Sequence, residues 1–255
     1  MYIVNSNQKS EPFFTIITVV RNGANFMEDC IESVRNQTFS DFEYIVIDGG
    51  STDGTIEIIQ RNLDIVSIFL SEPDFGIYDA MNKGIRVARG KYIGIINSDD
   101  RYKTWTLETV HNEIKTVSND CVAYGAIEYS DSKNQNYHIK HTELAVRMIY
   151  HPAVFVSSSV YLQLGAFNLK YKIAADYDFI LRCFASGVEF RPIESSLAIY
   201  RKGGYSNMHQ YRSLFETFKI QKSHIPRKSG LALRRLIRGL LGTTLRKMWR
   251  RRYEK

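Results

Sequence analysis

No apolar run in this chain approaches the roughly 18–20 residues that cross a bilayer. The opening stretch, MYIVNSNQKSEPFF, has no basic start followed by an apolar core, so no secretory signal is expected. Cysteine is scarce. Cys30, Cys121 and Cys183 are far apart, odd in number and without C-x-x-C spacing, which suits reduced thiols in a cytosolic protein. The chain has no G-x-G-x-x-G dinucleotide fingerprint, no Gly-x-x-x-x-Gly-Lys phosphate loop, no internal repeat and no low-complexity segment. What is present is ordinary for a globular protein: 255 residues, 44% apolar and 24% charged, enough for one large α/β domain with or without a small appendage.

Charge is unevenly spread. From Gln221 to Lys255 there are twelve Lys or Arg and one Glu, a net +11, which leaves −4 for the other 220 residues of a chain whose total is +7. A mildly acidic body and a strongly basic tail therefore need separate explanations.

The first hundred residues repeat one pattern of apolar run, loop and amphipathic stretch. Phe14–Val20, Tyr44–Ile47, Ile65–Leu70 and Tyr92–Ile96 read as strands; Phe26–Arg35, a short stretch after Thr52 and Asp53, and Ile77–Ala88 read as helices. Such alternation implies a mainly parallel sheet covered on both faces, with ligands beyond the carboxyl ends of its strands. Four loops then share one edge: Arg21–Gly23, Asp48–Asp53, Ser71–Gly76 and Asn97–Asp100. They bring several carboxylates there, and that much negative charge requires a cation or hydrogen-bond donors aimed at it. Further along, Thr104–Val117 reads as a helix, Cys121–Tyr129 and Tyr137–Lys140 as strands, His151-Pro152 as the entry to a strand over Ala153–Val156, and Ala174–Gly187 as a helix ended by glycine.

Asp48-Gly49-Gly50-Ser51 fits a tight turn, or a nucleotide site in which Asp48 accepts from a base or ribose and Gly50 permits close approach. Asn97-Ser98-Asp99-Asp100 fits a solvated turn capping a helix after Arg101, or a carboxylate pair holding Mg²⁺ or Mn²⁺ on a diphosphate. Asp176-Tyr177-Asp178 fits a helix start, where the dipole favours carboxylates, or a general base. His151 reads as packed or capping, and Arg201–Ser206 as a surface loop or a source of positive charge for a diphosphate.

Six stretches carry a resemblance: ITVVRNGANF, YIVIDGGSTDGT, SEPDFGIYDAMNKGI, GKYIGIINSDD, HPAVFV and AADYDFILR. In order and spacing over about residues 13–205, they resemble family 2 glycosyltransferases of the GT-A fold, especially bacterial enzymes that build exopolysaccharide, colanic acid and lipopolysaccharide. The resemblance implies an α/β catalytic domain over residues 1–220, its nucleotide-sugar half at about 13–103 and its acceptor half at about 104–220. It implies that Thr18, Asp48, Gly50, Asp74, Asp79 and Asn82 line the nucleotide pocket, with Asn97 and Ser98 beside them. Asp99 would hold the divalent metal, assisted by Asp100, and Asp176 would be the base, with Asp178 in reserve. The family's metal motif often begins with Asp where this chain has Asn97, which removes one negative charge. The activity implied is inverting transfer from a nucleotide-diphosphate sugar, UDP-linked by family frequency, to a lipid-linked or oligosaccharide acceptor. A nucleotide-sugar-binding protein without turnover is the alternative, and a basic nucleic-acid-binding protein a weaker one.

In the tail, Leu233, Leu236, Ile237, Leu240, Leu241, Leu245, Met248 and Trp249 form an apolar stripe, with arginines and Lys247 over most of the other face. This reads as a basic amphipathic helix of residues 221–255 lying on an anionic membrane surface, rather than one docked on the body or gripping nucleic acid. The implied place is the cytoplasmic face of the inner membrane.

Overall fold

The computed structural model describes residues 2–4, 11–132, 135–145, 147–203, 209–226, 230 and 233–241. Ten strands form one sheet: β1 Tyr2–Val4, β2 Phe14–Val20, β3 Phe42–Asp48, β4 Ile68–Ser71, β5 Tyr92–Asn97, β6 Arg101–Tyr102, β7 Cys121–Tyr129, β8 Asn136–Tyr137, β9 Val154–Ser157 and β10 Glu189–Tyr200. Their order is β1-β4-β3-β2-β5-β9-β7-β10-β6, with β8 on β7. The helices are α1 Ala24–Arg35, α2 Thr55–Arg61, α3 Ile77–Val87, α4 Thr106–Ile114, α5 Ser158–Leu164, α6 Ala175–Ala185 and α7 Gln210–His224. Residues 233–241 are also helical.

The β2 sequence FTIITVV shows why the sheet lies in the middle. Every residue of it is buried, which needs cover on both faces. With period two, Ile17 and Val19 join one apolar layer, and Phe14, Ile16 and Val20 join the other. The first layer is closed by α3 through Tyr78, Ala80 and Met81 and by α6 through Phe179 and Ile180. The second is closed by α1 through Met27, Ile31 and Val34 and by α4 through Leu107, Val110 and Ile114.

Strands β4, β3, β2 and β5 are parallel neighbours, so their carboxyl ends do share one edge. Beyond β5 the direction reverses: β9 is antiparallel to both β5 and β7. The turn after β5 therefore lies where strand sense changes, the usual place for a ligand crevice in open α/β sheets.

Several expected boundaries move. The strand expected from Ile65 begins at Ile68, because Ile65 and Val66 still hydrogen-bond back to Asn62 at the end of α2. The strand expected over Tyr137–Lys140 shrinks to Asn136–Tyr137, since Lys140 instead precedes a short helical turn over His141–Glu143. No helix follows Arg101; Arg101 and Tyr102 pair antiparallel with Ile199 and Ala198, and the next helix waits until Thr106. The twelve-residue β10 went unread, because Pro192 and two register shifts break its alternation. Of the tail stripe, Leu245, Met248 and Trp249 lie outside the described residues, as do residues 204–206 of the Arg201–Ser206 loop.

Gly90 sets how closely α3 returns to β2. A Cβ there would lie 2.3 Å from the Thr15 nitrogen and 2.5 Å from the Phe14 carbonyl carbon, both backbone atoms that cannot step aside. Gly90→Ala should lower stability by about 1–3 kcal/mol. In urea unfolding the midpoint should fall with an unchanged slope; an unmoved midpoint would contradict the packing.

Candidate active site

The loops at the carboxyl edge are knitted by their own polar groups. Asp48, without solvent exposure, accepts from the Gly50 and Ser51 amides at 3.1 and 3.0 Å, from the Ser51 hydroxyl, and from the Ser71 hydroxyl at 2.7 Å. A carboxylate offers about four acceptor positions, so the loop itself engages Asp48 and makes it the organiser of the turn rather than a free acceptor. Asp53 is engaged likewise, accepting from the Ala24 and Thr55 amides at 3.1 Å and from the Thr55 hydroxyl at 2.5 Å. It therefore caps α2 from just before its left-handed N-cap, Gly54.

Close approach belongs to Gly49 rather than Gly50. A Cβ on Gly49 would lie 2.2 Å from Asp74 Oδ2, whereas Gly50 has its nearest neighbour at 3.8 Å and is needed for its φ of +80°. Asp74 is thereby brought against the Asp48 turn, and its other oxygen accepts from the Gly76 amide at 2.8 Å. Ser98 is brought to the same edge, where a Cβ on Gly23 would lie 3.1 Å from its Oγ.

Three of the expected pocket residues turn inward instead. Thr18 is fully buried beneath the edge, its hydroxyl accepting from Tyr44 OH at 3.0 Å and lying 3.6 Å from Cys30 Sγ. Asp79 caps the first turn of α3, accepting from the Phe75 amide at 3.1 Å. Asn82 clamps the Phe167 backbone, donating to its carbonyl and accepting from its amide, each at 2.9 Å. These residues brace β2 and α3 beneath the carboxyl edge; helical spacing alone did not reveal which way α3 faces.

The turn Asn97–Asp100 differs from its neighbours. Asp100 is buried, and its Oδ1 accepts from the Arg201 amide at 2.9 Å. Its Oδ2 and the Oδ1 of Asn97 are buried with no hydrogen-bond partner among the described residues. Most buried polar atoms are paired, so two orphans on one turn point to something the chain does not supply. Asp99 is only half-buried, and burial raises its pKa while the charge of Arg201 opposes the rise. Burial, then the neighbouring Asp99, pushes Asp100 up to about 8 from an ordinary 3.8, against the Arg201 amide and the Asn97 side chain. Two adjacent carboxylates coexist here because one is buried and favours its protonated form at neutral pH. The Arg201 guanidinium lies 3.8 Å above the Phe26 ring, which places its charge at the same turn.

Oxygen atoms from one or two carboxylates, plus an amide carbonyl, are the ligands a hard divalent cation takes. Among the described residues no cluster of three or more His, Cys, Asp or Glu could hold a metal by itself. The donor set therefore fits a cation whose remaining ligands come from a diphosphate and water, as is usual for Mg²⁺.

At the start of α6 the two carboxylates part company. Asp178 is 3% exposed and lies between Arg182 Nε at 3.1 Å and His224 Nε2 at 2.9 Å. The His224 contact ties α6 to α7, and together the two partners leave Asp178 with a structural task. Asp176 is 8% exposed and accepts from Tyr78 OH at 2.8 Å and from the Tyr177 amide at 2.9 Å. Burial raises its pKa, opposed first by His151 and then by Tyr78. Tyr78 was missed in the sequence, although a tyrosine on the buried face of an amphipathic helix generally needs a polar partner. It links α3, whose N-terminus frames the Asp74 loop, to the Asp176 carboxylate.

Comparison with known proteins gives this geometry a class. Residues 15–182 match Glycosyl transferase family 2. A PGL/p-HBAD biosynthesis glycosyltransferase of Mycobacterium bovis (strain BCG / Pasteur 1173P2) is 33% identical over 205 residues, spanning 77% of this chain and 80% of that protein. A hyaluronan synthase of Pasteurella multocida is 30% identical over 196 residues, 71% of this chain and 19% of that much longer protein. Among solved structures, S. aureus TarS 1-349 in complex with UDP-GlcNAc has a TM-score of 0.70 at 15% identity, over 89% of this chain and 71% of that one. The mannosyltransferase PcManGT from Pyrobaculum calidifontis, in complex with GDP-Man and Mn²⁺, has a TM-score of 0.66 at 17% identity, over 96% and 79%. The fold is the GT-A glycosyltransferase fold. The chain belongs to glycosyl transferase family 2, as its six motifs imply.

Two measurements check the geometry. Asp178→Ala removes the acceptor shared by the part-buried Arg182 Nε and His224 Nε2 and should cost about 2 kcal/mol of stability, whereas Asp176→Asn keeps an acceptor for Tyr78 and should unfold near the wild type. Equal losses would contradict the division of roles. Asp100, with its pKa raised to about 8 from 3.8, favours the folded state when protonated. Its contribution is present at low pH and is lost as pH rises through about 8. Metal-free protein should therefore lose stability as pH rises from about 4 to about 8 and level off above that, and Asp100→Asn should flatten that slope.

Proposed function

We propose that this glycosyltransferase is inverting and divalent-metal-dependent, and moves a sugar from a nucleotide-diphosphate sugar, UDP-linked in the favoured case, to a lipid-linked or oligosaccharide acceptor in bacterial cell-surface polysaccharide synthesis. The observation that carries this reading is the Asn97–Asp100 turn, with two orphaned oxygens beside the half-exposed Asp99 at the strand-switch edge. In this reading residues 13–103 form the nucleotide-sugar half and residues 104–220 the acceptor half.

Asp74, Gly50 and Ser98 frame the nucleotide crevice, on walls held by Asp48, Thr18, Asp79 and Asn82. Asp99 would hold Mg²⁺ or Mn²⁺, with the unpartnered Asn97 Oδ1 and Asp100 Oδ2 on the same turn as further oxygen donors. The bound cation would neutralise charge on the leaving diphosphate and orient it. Arg201, held over Phe26, adds positive charge on the same side. Asp176 takes the acceptor hydroxyl's proton. The acceptor oxygen bonds to the anomeric carbon as the carbon–oxygen bond to the diphosphate breaks, its electron pair leaving with the diphosphate. Attack opposite the leaving group inverts the centre, through an oxocarbenium-like transition state. Tyr78 donates to one Asp176 oxygen, which orients the carboxylate and leaves its second oxygen for the proton.

The acceptor side rests on the tail. In the helical segment 233–241, Leu236 is buried, and a Cβ on Gly239 would lie 2.6 Å from Leu214 of α7, so one edge docks on the body. Leu233, Ile237 and Leu241 are 47–60% exposed, four residues apart on one face, with Arg234 and Arg238 beside them. No helix among the described residues is long and apolar enough to cross a membrane. A basic helix with an exposed apolar stripe supports attachment to an anionic membrane surface, at the cytoplasmic face where lipid-linked acceptors would be met.

Thermal unfolding with UDP or GDP, with and without Mn²⁺, tests the reading. A ligand at 100 times its dissociation constant stabilises by about 2.7 kcal/mol, a rise of a few degrees. One nucleotide should raise the transition only with Mn²⁺, Asp99→Ala should abolish the rise, and Asp176→Asn should keep it while losing transfer. No shift with either nucleotide, or full transfer by Asp176→Asn, would sink the proposal.

A further inference from the structure

Behind Asp176 lies a small cavity whose polar lining consists of Asp176, His151 and Tyr161. Its volume, about 10 Å³, admits no more than a water molecule. It is therefore no subsite for a sugar or a lipid, and whatever His151 does there it does through Asp176. The ring is held in place: His151 opens the turn His151–Ala153 ahead of β9 and meets Phe167 edge-on at 6.3 Å between centroids. Phe167 is in turn the residue whose backbone Asn82 clamps from α3. His151 Nε2 is buried and has no hydrogen-bond partner among the described residues. A buried imidazole nitrogen left without a partner beside a buried carboxylate is an arrangement packing alone does not explain.

We propose that His151 is a positioning residue for the Asp176 base: held behind the carboxylate, its ring is the proton-bearing partner that keeps Asp176 ionised and able to accept. The inference rests on Asp176 being the base. Burial dominates at both sites, leaving Asp176 raised and His151 lowered, and the charge of each partner opposes the shift of the other. Burial raises Asp176, and His151 is the strongest influence against that rise. Burial lowers His151, and Asp176 is the charged group that opposes it. The other titratable groups near the pair are Tyr161 from α5, on the cavity wall, Tyr78 from α3, bonded to Asp176, and Glu216 from α7, whose carboxylate is engaged by the Ile173 and Ala174 amides. Burial holds both phenols well above 10, so neither is charged at neutral pH. From the sheet, Ile95, Val154 and Val156 add only apolar surface.

The test is a pair of NMR titrations on the full chain, one in each direction. The six histidines would be labelled at the ring, and the His151 signal identified by its loss in His151→Gln. In Asp176→Asn, where His151 is untouched, its midpoint should fall by about one pH unit or more, as expected on losing an adjacent opposite charge. In His151→Gln, the carboxyl midpoint of Asp176 should rise by a similar amount, a change that loss of packing would not produce. A His151 midpoint unmoved by Asp176→Asn overturns the inference even if His151→Gln fails to fold. Neither titration depends on turnover. Loss of transfer in Asp176→Asn with unlinked titrations overturns this inference alone, whereas full transfer in Asp176→Asn removes the base and this inference with it.

Discussion

The Asp48 carboxylate ties the carboxyl edge together. It is reached by amides and a hydroxyl of its own turn and by Ser71 from the end of β4. Its turn also binds the loop after β2, since Ser51 Oγ accepts from the Asn22 amide at 2.7 Å and the Thr52 amide donates to Asn22 Oδ1 at 2.9 Å. Asn22 takes a left-handed φ of 53° to make this possible, a conformation that asparagine tolerates better than most residues. A buried carboxylate without donors would be expensive; here the loops that must be ordered for binding provide them. The negative charge of the sequence thus becomes the means of fixing three loops against one another.

Against that background the turn after β5 is the exception that carries chemistry. Asp48 and Asp53 are satisfied by neighbouring loops, whereas Asn97 and Asp100 keep oxygens that the described residues do not satisfy. The turn also sits where β5 separates a parallel from an antiparallel neighbour, the kind of strand switch at which open α/β sheets place ligands. β6, only two residues long, then pairs with β10 and brings Arg201 back to Asp100. Unpartnered oxygens and a returning arginine meet at one place through strands distant in sequence.

The base is built by the other layer. α3 leaves the Asp74 loop, passes Tyr78 to Asp176 and Asn82 to Phe167, and so couples the rim of the crevice to α6. Asp178, two residues along the same helix, is paired with Arg182 and contacts His224 Nε2 of α7. The two carboxylates are alike in sequence and opposite in circumstance, one in an ion pair and one in an apolar recess whose remaining polar groups are His151 and two phenols.

The amino-acid sequence by itself determined the parallel strands of the first half, the edge at which their loops converge, and the family, because apolar periodicity and ordered motifs are local properties of the chain. It placed Asp99 and Asp176 within those motifs and marked the tail as a basic amphipathic stretch. It missed β10, whose Pro192 and bulges break the alternation that makes strands legible. It also left open which carboxylates are free, because hydrogen-bond satisfaction depends on partners distant in sequence: Asp48 on Ser71, Asp100 on Arg201, Asp178 on His224. Only the tertiary structure decided those, since whether a charged oxygen is engaged or orphaned is fixed by which strands and helices end beside it, not by its neighbours along the chain.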